Sequence, residues 1–432
     1  MSPRPVSLRS ASINTPMLRF IFLLALCAST VTRTMGSHGD ATAPERMTRN
    51  GLPGTATHMG KRGELRVAYL GGSITAAEGW RPLTTTFLRE LLPDSAITEI
   101  AAGVPGTGSD LGVCRLGADV LRHRPDLLFV EFAVNDANTA PADIERTMEG
   151  IVRQTWRANP ATDICFVYTV STPGWPDVQA GNYPASVRAM ETVAAHYGIP
   201  TVQLGFEVAR RVADKGMLFK GTAQDGDRAF SVDGVHPTPA GHRVYADVLR
   251  RALPEFLKTT ASRPPLPPSL RADNWEHAEQ RVLSREMFRG EWKAVPLDDE
   301  NLRGATKALL PPTWRADKAG DAIEFDFTGT HLGLLGIAAP DSGWFTVTVD
   351  GNAPVTDTFF DAYVTPTFCR ARKWFYPQPL PPGKHRVRVE LSDRAVDKAA
   401  IKQAAGKTLA DPELYAQQRL ALSALLLIDT AP

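Results

Sequence analysis

A serine behind two glycines, GGSIT at 71–75, and an aspartate three residues before a histidine, DGVH at 233–236, supply what a hydroxyl nucleophile needs. A serine hydroxyl is a weak nucleophile until an imidazole takes its proton, and the imidazole works best when a carboxylate fixes its tautomer. Asp233 and His236 share one short turn, so carboxylate and imidazole can meet without a distant third segment. Two further stretches hold donors for a developing oxyanion. GVPGTGSD at 103–110 has glycines whose amides can approach a ligand, and NDAN at 135–138 begins with a side-chain amide at Asn135. Each stretch alone has a plainer reading. Ser73 can be a helix cap, Asp233 and the Asn135–Asp136 pair can be turn residues, and His236 can be a surface histidine.

The elements around these stretches place them in order. LRVAYL (65–70), AITEIAA (96–102), DLLFVEFAV (126–134), DICFVYTV (163–170) and PTVQLG (200–205) are short, nearly continuous apolar runs. Segments of helical period separate them, for example PLTTTFLRELL (82–92) and ADIERTMEGIVRQTWR (142–157). Strands alternating with helices predict an α/β layer built on a parallel sheet covered on both faces. Sites of such sheets lie at the carboxyl ends of the strands, which is where GGSIT, GVPGTGSD and NDAN fall.

Four strand-end motifs in this order resemble the SGNH (GDSL-like) hydrolase family, across about residues 65–257. The resemblance implies a three-layer, flavodoxin-like domain with a parallel sheet. It makes Ser73 the nucleophile and Asp233 and His236 the other triad members, with Ser73, Gly106 and Asn135 forming the oxyanion hole. Three positions depart from the family pattern. Gly72 stands where an aspartate is usual, Ala101 where an asparagine often begins the second motif, and Ala133 where a glycine is expected two before Asn135. Gly72, Trp80, Asp136 and Trp175 are candidate substrate contacts, with Arg81, Asn138 and Asn182 as further neighbours; the plainer readings are core packing for Trp80, loop bracing for Asp136 and Asn138, and a structural role for His242.

The chain has 432 residues, 43% hydrophobic and 22% charged, with 48 basic against 47 acidic side chains. This length favours two domains, and the balanced charge gives no footprint for nucleic acid. Arg4, Arg9 and Arg19 precede the apolar run FIFLLALCA (20–28), the pattern of a secretory signal peptide and too short to span a membrane. The reading is therefore of a secreted or periplasmic protein, with residues 1–36 the signal peptide and start of the mature chain. Leu26 occupies the place where lipoprotein anchoring at Cys27 would need a small residue.

Residues 60–258 form the hydrolase-like domain, 259–273 a proline-rich linker, and 274–432 a second domain of β texture. AIEFDF (322–327), GWFTVTVDG (343–351) and KHRVRVEL (384–391) alternate between Gly, Pro and Asp punctuation, as expected of a β-sandwich or jelly roll. Such domains resemble those attached to SGNH-type carbohydrate esterases. Trp344, Trp374 and Tyr376 are its candidate sugar platforms, with core packing the plainer reading.

Cys114, Cys165 and Cys369 read as buried structural thiols whose disulfide status the spacing leaves open. No CxxC, HExxH or other metal-ligand spacing occurs. The glycine loop reads G-x-x-G-x-G after the second strand, unlike a dinucleotide fingerprint, and there is no Walker A motif. No cofactor is expected. The resemblance implies a serine esterase taking acetyl groups from an acetylated glycan. A carbohydrate O-acetyltransferase, or a glycan-binding protein on a degenerate hydrolase fold, remains the alternative. Nothing in the sequence speaks to oligomeric state.

Overall fold

The computed structural model describes residues 42–259 and 265–429. The apolar run at 20–28 and Cys27 lie outside them. Six strands form the first sheet: β1 (Arg46–Met47), β2 (Gly63–Gly71), β3 (Ser95–Gly103), β4 (Leu127–Glu131), β5 (Asp163–Tyr168) and β6 (Thr201–Gln203). Their order is β1-β6-β5-β4-β2-β3; β1 pairs antiparallel with β6 and all other pairs are parallel. Omitting β1, this is the flavodoxin-like order, which reverses direction between β2 and β4. Ser73 and Asn135 follow those two strands.

Helices cover both faces. They are α1 (Pro53–Ala56), α2 (Ser73–Ala76), α3 (Trp80–Leu91), α4 (Ser109–Asp119), α5 (Pro141–Ala158), α6 (Trp175–Gln179), α7 (Ala185–Tyr197), α8 (Gly205–Ala213) and α9 (Pro239–Phe256). Strand β2 shows why its sequence runs apolar. Ala68 and Leu70 pack toward α4, α5 and α7, whereas Leu65, Val67 and Tyr69 pack toward α3, α8 and α9. Local signals set the helix ends: Pro141 opens α5 with Asp143 in its first turn, and the Thr238 side chain accepts the Gly241 amide at the start of α9. A short parallel pair, β7 (Leu218–Lys220) with β8 (Ala229–Ser231), leads into the loop of Asp233 and His236.

The described part of the linker lies docked on α5 and α7. The buried Glu149 carboxylate accepts the amides of Leu270 (2.6 Å) and Arg271 (2.9 Å), and Arg153 donates to the Pro267 carbonyl at 3.0 Å.

The remainder is antiparallel. Its strands are β9 (Ala278–Val282), β10 (Phe288–Arg289), β11 (Trp292–Val295), β12 (Thr313–Ala316), β13 (Ala322–Gly329), β14 (His331–Ala338), β15 (Trp344–Val349), β16 (Val355–Thr358), β17 (Arg370–Phe375), β18 (Gly383–Leu391) and β19 (Leu420–Ile428), with helix α10 (Lys398–Ala404) before the last. One sheet runs β10-β13-β18-β15-β16; the other runs β11-β12-β19-β14-β17, with β9 also on β19. Phe325, Phe345 and Val387 of the first meet Leu334 and Leu425 of the second in one core. The opposite face of the second sheet, through Leu335, Ala371, Ala424 and Leu426, joins the apolar cluster of α4 and α5. Burial on both faces accounts for the unbroken ALSALLLI of β19, whereas β18 alternates because its outer face meets water. Among the described residues, no helix is long and apolar enough to cross a membrane.

Candidate active site

Ser73 is the first residue of the single-turn helix α2, immediately past the end of β2. Two buried charged residues shape this turn. Arg115 of α4 donates to the carbonyls of Gly71 (3.1 Å) and Ala102 (2.8 Å) while pairing with Asp119 at 2.9 Å, so one guanidinium joins the ends of β2 and β3. Glu131, at the end of β4, accepts from Thr75 (2.9 Å) and Thr169 (2.6 Å); its burial raises its pKa against those two bonds.

The loop after β8 brings the imidazole to the serine. His236 Nε2 lies 2.8 Å from Ser73 Oγ, and His236 Nδ1 lies 2.7 Å from Asp233 Oδ2. Asp233 Oδ1 accepts from the Val235 and His236 amides, both at 2.8 Å, and from Ser231 Oγ at 3.0 Å. Partial burial opposes ionisation of Asp233. The bonds from the His236 side chain and backbone and from Val235 outweigh it and hold the carboxyl well below the usual range. The ionised carboxylate assigns the Nδ1 proton, leaving Nε2 as the acceptor facing Ser73 Oγ–H. The His236 and Asp233 side chains are 52% and 54% exposed, so the site opens at the surface.

Two amides are unengaged: neither Ser73 N–H nor Gly106 N–H has an acceptor among the described residues. Gly106 has φ +71°, in the left-handed region that favours glycine. The Asn135 side chain lies against Gly72, whose Cβ would stand 2.0 Å from Asn135 Oδ1. Glycine at 72, a departure from the family pattern, is thus required by where Asn135 sits.

Of the candidate substrate contacts, Trp80 and Asp136 are buried and Trp175 is half-buried. Trp80 is fully buried, edge-on to Tyr69 (ring centroids 5.5 Å) and Phe129 (6.3 Å), so it belongs to the core and cannot touch substrate. Asp136 is also buried, accepting the Ser109 amide at 3.1 Å to brace the start of α4 behind the Gly106 loop. Burial and then the neighbouring Asp110 push its pKa up to about 7, against the Ser109 bonds and the Lys373 charge. Trp175 stacks on Phe219 at 4.0 Å and packs on the core.

His242 is buried beside Gly79 and accepts the Trp80 amide on Nδ1 at 3.2 Å. Burial, aided by the charge of His236, lowers its pKa to about 4, so it is neutral. Arg81 is buried and donates to the Thr75 carbonyl at 3.1 Å. Trp374 donates to Asp357 and packs on Phe345, with Tyr376 edge-on to it, and both are half-buried. Cys114, Cys165 and Cys369 are free and buried. No group of three or more His, Cys, Asp or Glu among the described residues is placed to hold a metal ion.

The motifs did not point to Arg115, Glu131 or the basic residues of β17. Lys373 of β17 forms an ion pair with Asp110, and Arg370 stands over Gly106. The only signal for that strand is the mixture of basic and apolar residues in RARKWF.

Residues 69–244 match the model of the GDSL-like Lipase/Acylhydrolase family. Among solved structures, the chain is similar to a two-domain esterase (CEX) active on acetylated mannans, co-crystallised with mannopentaose. That likeness has a TM-score of 0.69 and 20% identity, and covers 90% of this chain and 100% of the other. A second crystal structure of that esterase gives the same score and coverage at 21% identity. The shared architecture is an SGNH-like α/β domain followed by an antiparallel all-β region. No curated protein matches the chain.

Proposed function

We propose that this chain, with its SGNH-like α/β domain, is a secreted serine esterase that removes O-acetyl groups from a polysaccharide or oligosaccharide. The observation that carries the reading is the unbroken chain Ser73 Oγ, His236 and Asp233, together with the unengaged amides of Ser73 and Gly106. Ser73 Oγ attacks the acetyl carbonyl carbon as His236 Nε2 takes its proton. Asp233 holds the ring and stabilises the imidazolium. The amides of Ser73 and Gly106 and the Asn135 side chain donate to the oxyanion. The intermediate collapses by breaking the ester C–O bond, and the sugar oxygen leaves with the proton from His236. Water, deprotonated by the same imidazole, then releases acetate from acetyl-Ser73.

The open site suits a polymer chain better than a narrow acyl tunnel would. The structural neighbour sharing both halves of the architecture is described as active on acetylated mannans. The basic-then-apolar pattern of residues 1–36 supports export, where such a substrate would be met. In this reading residues 60–258 carry the chemistry, 259–273 link, and 274–432 complete the substrate surface. The test is acetate release from a panel of acetylated glycans, with 4-nitrophenyl acetate as control. Acetate from a glycan class supports the reading. Acetyl transfer to an added sugar without net acetate would replace hydrolysis with transfer, and silence on every substrate would overturn both.

A further inference from the structure

Arg370 opens β17 of the β-region, yet a Cβ on Gly106 would stand only 2.8 Å from its Nη1. Its Nη2 is paired with Asp361, and the two side chains are 18% and 16% exposed. Nη1 and Nε have no acceptor among the described residues. A largely buried guanidinium with free N–H groups is costly unless water or a ligand accepts from them.

The loop that holds Asp361 is itself fixed by cations. Arg372 Nη1 donates to the carbonyls of Phe359 (3.0 Å) and Phe360 (2.9 Å). Lys402 of α10 donates to those of Ala362 (3.3 Å) and Val364 (2.6 Å). Lys398, one turn earlier, bonds the carbonyls of Pro340, Tyr415 and Gln417 at 2.7–2.8 Å. On the other side, the Lys373–Asp110 pair ties β17 to the start of α4, within the Gly106 loop's own motif. Four basic side chains thus set one guanidinium over the glycine proposed to bind the oxyanion. Such preorganisation lowers the entropy cost of a contact made only when substrate arrives.

Resting on the esterase reading, we infer that Arg370 is a substrate-binding residue supplied by the β-region, donating to a sugar oxygen next to the ester under attack. Asp361 partners Arg370 and also lies 3.8 Å from Arg372 Nη1, so a ligand oxygen held by Arg370 would sit beside a carboxylate. A neutral hydroxyl or ring oxygen fits this, whereas a uronate carboxylate would also face Asp361. The inference assigns the β-region a part in choosing which acetylated sugar is hydrolysed.

The experiment compares kcat and KM of the full chain, Arg370→Gln and Arg370→Lys on acetylated mannan oligosaccharides and on 4-nitrophenyl acetate. The ester with no sugar has nothing for Arg370 to hold. The selectivity, glycan kcat/KM over aryl-ester kcat/KM, is expected to fall about tenfold to a hundredfold in Arg370→Gln, mainly through glycan KM. Arg370→Lys, which keeps the charge and most of the packing but loses the fork, should fall between. Unchanged selectivity in both variants, or equal losses on both substrates, would overturn the inference while leaving the esterase reading in place. A wild-type chain inactive on both substrates would overturn the esterase reading itself.

Discussion

The Asn135 side chain occupies the space that a side chain at residue 72 would need, its Oδ1 lying 2.0 Å from the Gly72 Cβ position. Gly72 has φ −89°, so its backbone would accept other residues and the restriction is purely one of contact. Gly72→Ala should displace Asn135 from its proposed oxyanion position without harming the fold. We expect kcat to drop by about tenfold to a hundredfold, somewhat less than outright loss of an oxyanion donor. The melting temperature should move by no more than about 4 °C. Wild-type kcat in this variant would show that Asn135 has no part in turnover.

Asp233 stays ionised throughout the working range, since the bonds from His236 and Val235 hold it well below ordinary carboxylates. The acid limb of kcat/KM should therefore have a slope of one, reporting a single base. Asp233→Asn removes the charge that fixes the imidazole tautomer, and activity should fall by about 10³- to 10⁴-fold. A limb of slope two in the wild-type chain would mean that a second group titrates with the base.

His242 makes the stability of the wild-type chain sensitive to acid. Its folded pKa, lowered by burial to about 4, lies below the unfolded value of about 6.5. Only the unfolded chain takes up this proton on acidification, so stability is lost as pH falls from about 6.5 through 4, by up to about 3 kcal/mol. Asp136 runs oppositely. Raised to about 7, it favours the folded state at low pH and loses that contribution as pH rises from about 4 to 7. The two contributions oppose each other in this interval. The difference between wild type and His242→Gln isolates one term: in urea melts, any wild-type advantage at pH 7 should shrink toward pH 4. A constant difference would contradict it.

Arg115 carries a structural load that no motif announces. It is 2% exposed, joins the carbonyls of Gly71 and Ala102, and is paired with the buried Asp119. Arg115→Leu leaves Asp119 buried and unpartnered, at a cost of about 3–5 kcal/mol. Arg115→Leu with Asp119→Leu should recover part of this in urea melts, though the two strand-end carbonyls remain unpaired. Equal stability of wild type and Arg115→Leu would refute the assignment.

What the sequence made legible, and what it hid, follows from locality. Strands β2, β4 and β5 are buried on both faces, so their apolar runs stand out and their ends can be read directly. Ser73, Gly106, Asn135 and the Asp233–His236 turn sit in loops that follow short apolar runs, so the motifs could be found in order, and the resemblance to a known family then suggested their roles. For Trp80 the sequence leaves both a pocket and a core role open, since its position after Ser73 cannot show that the ring turns inward onto Tyr69 and Phe129. Arg370 and Lys373 were invisible for a different reason. Lys373 meets a partner 263 residues earlier, a contact created only when the second sheet packs on α4. Strand β9 and the edge strand β11 do not stand out either, because AEQRV carries few apolar residues and the four residues of WKAV are too short to show a period.

The most direct test of the account is acetate release from acetylated mannan by the wild-type chain and by Ser73→Ala, with thermal melts to confirm that both are folded. The account predicts that the wild type releases acetate and that Ser73→Ala loses about 10⁴-fold or more in kcat at an unchanged melting temperature. A folded Ser73→Ala chain that retains a tenth or more of the wild-type rate would contradict it, because the hydroxyl 2.8 Å from His236 would then not be the nucleophile.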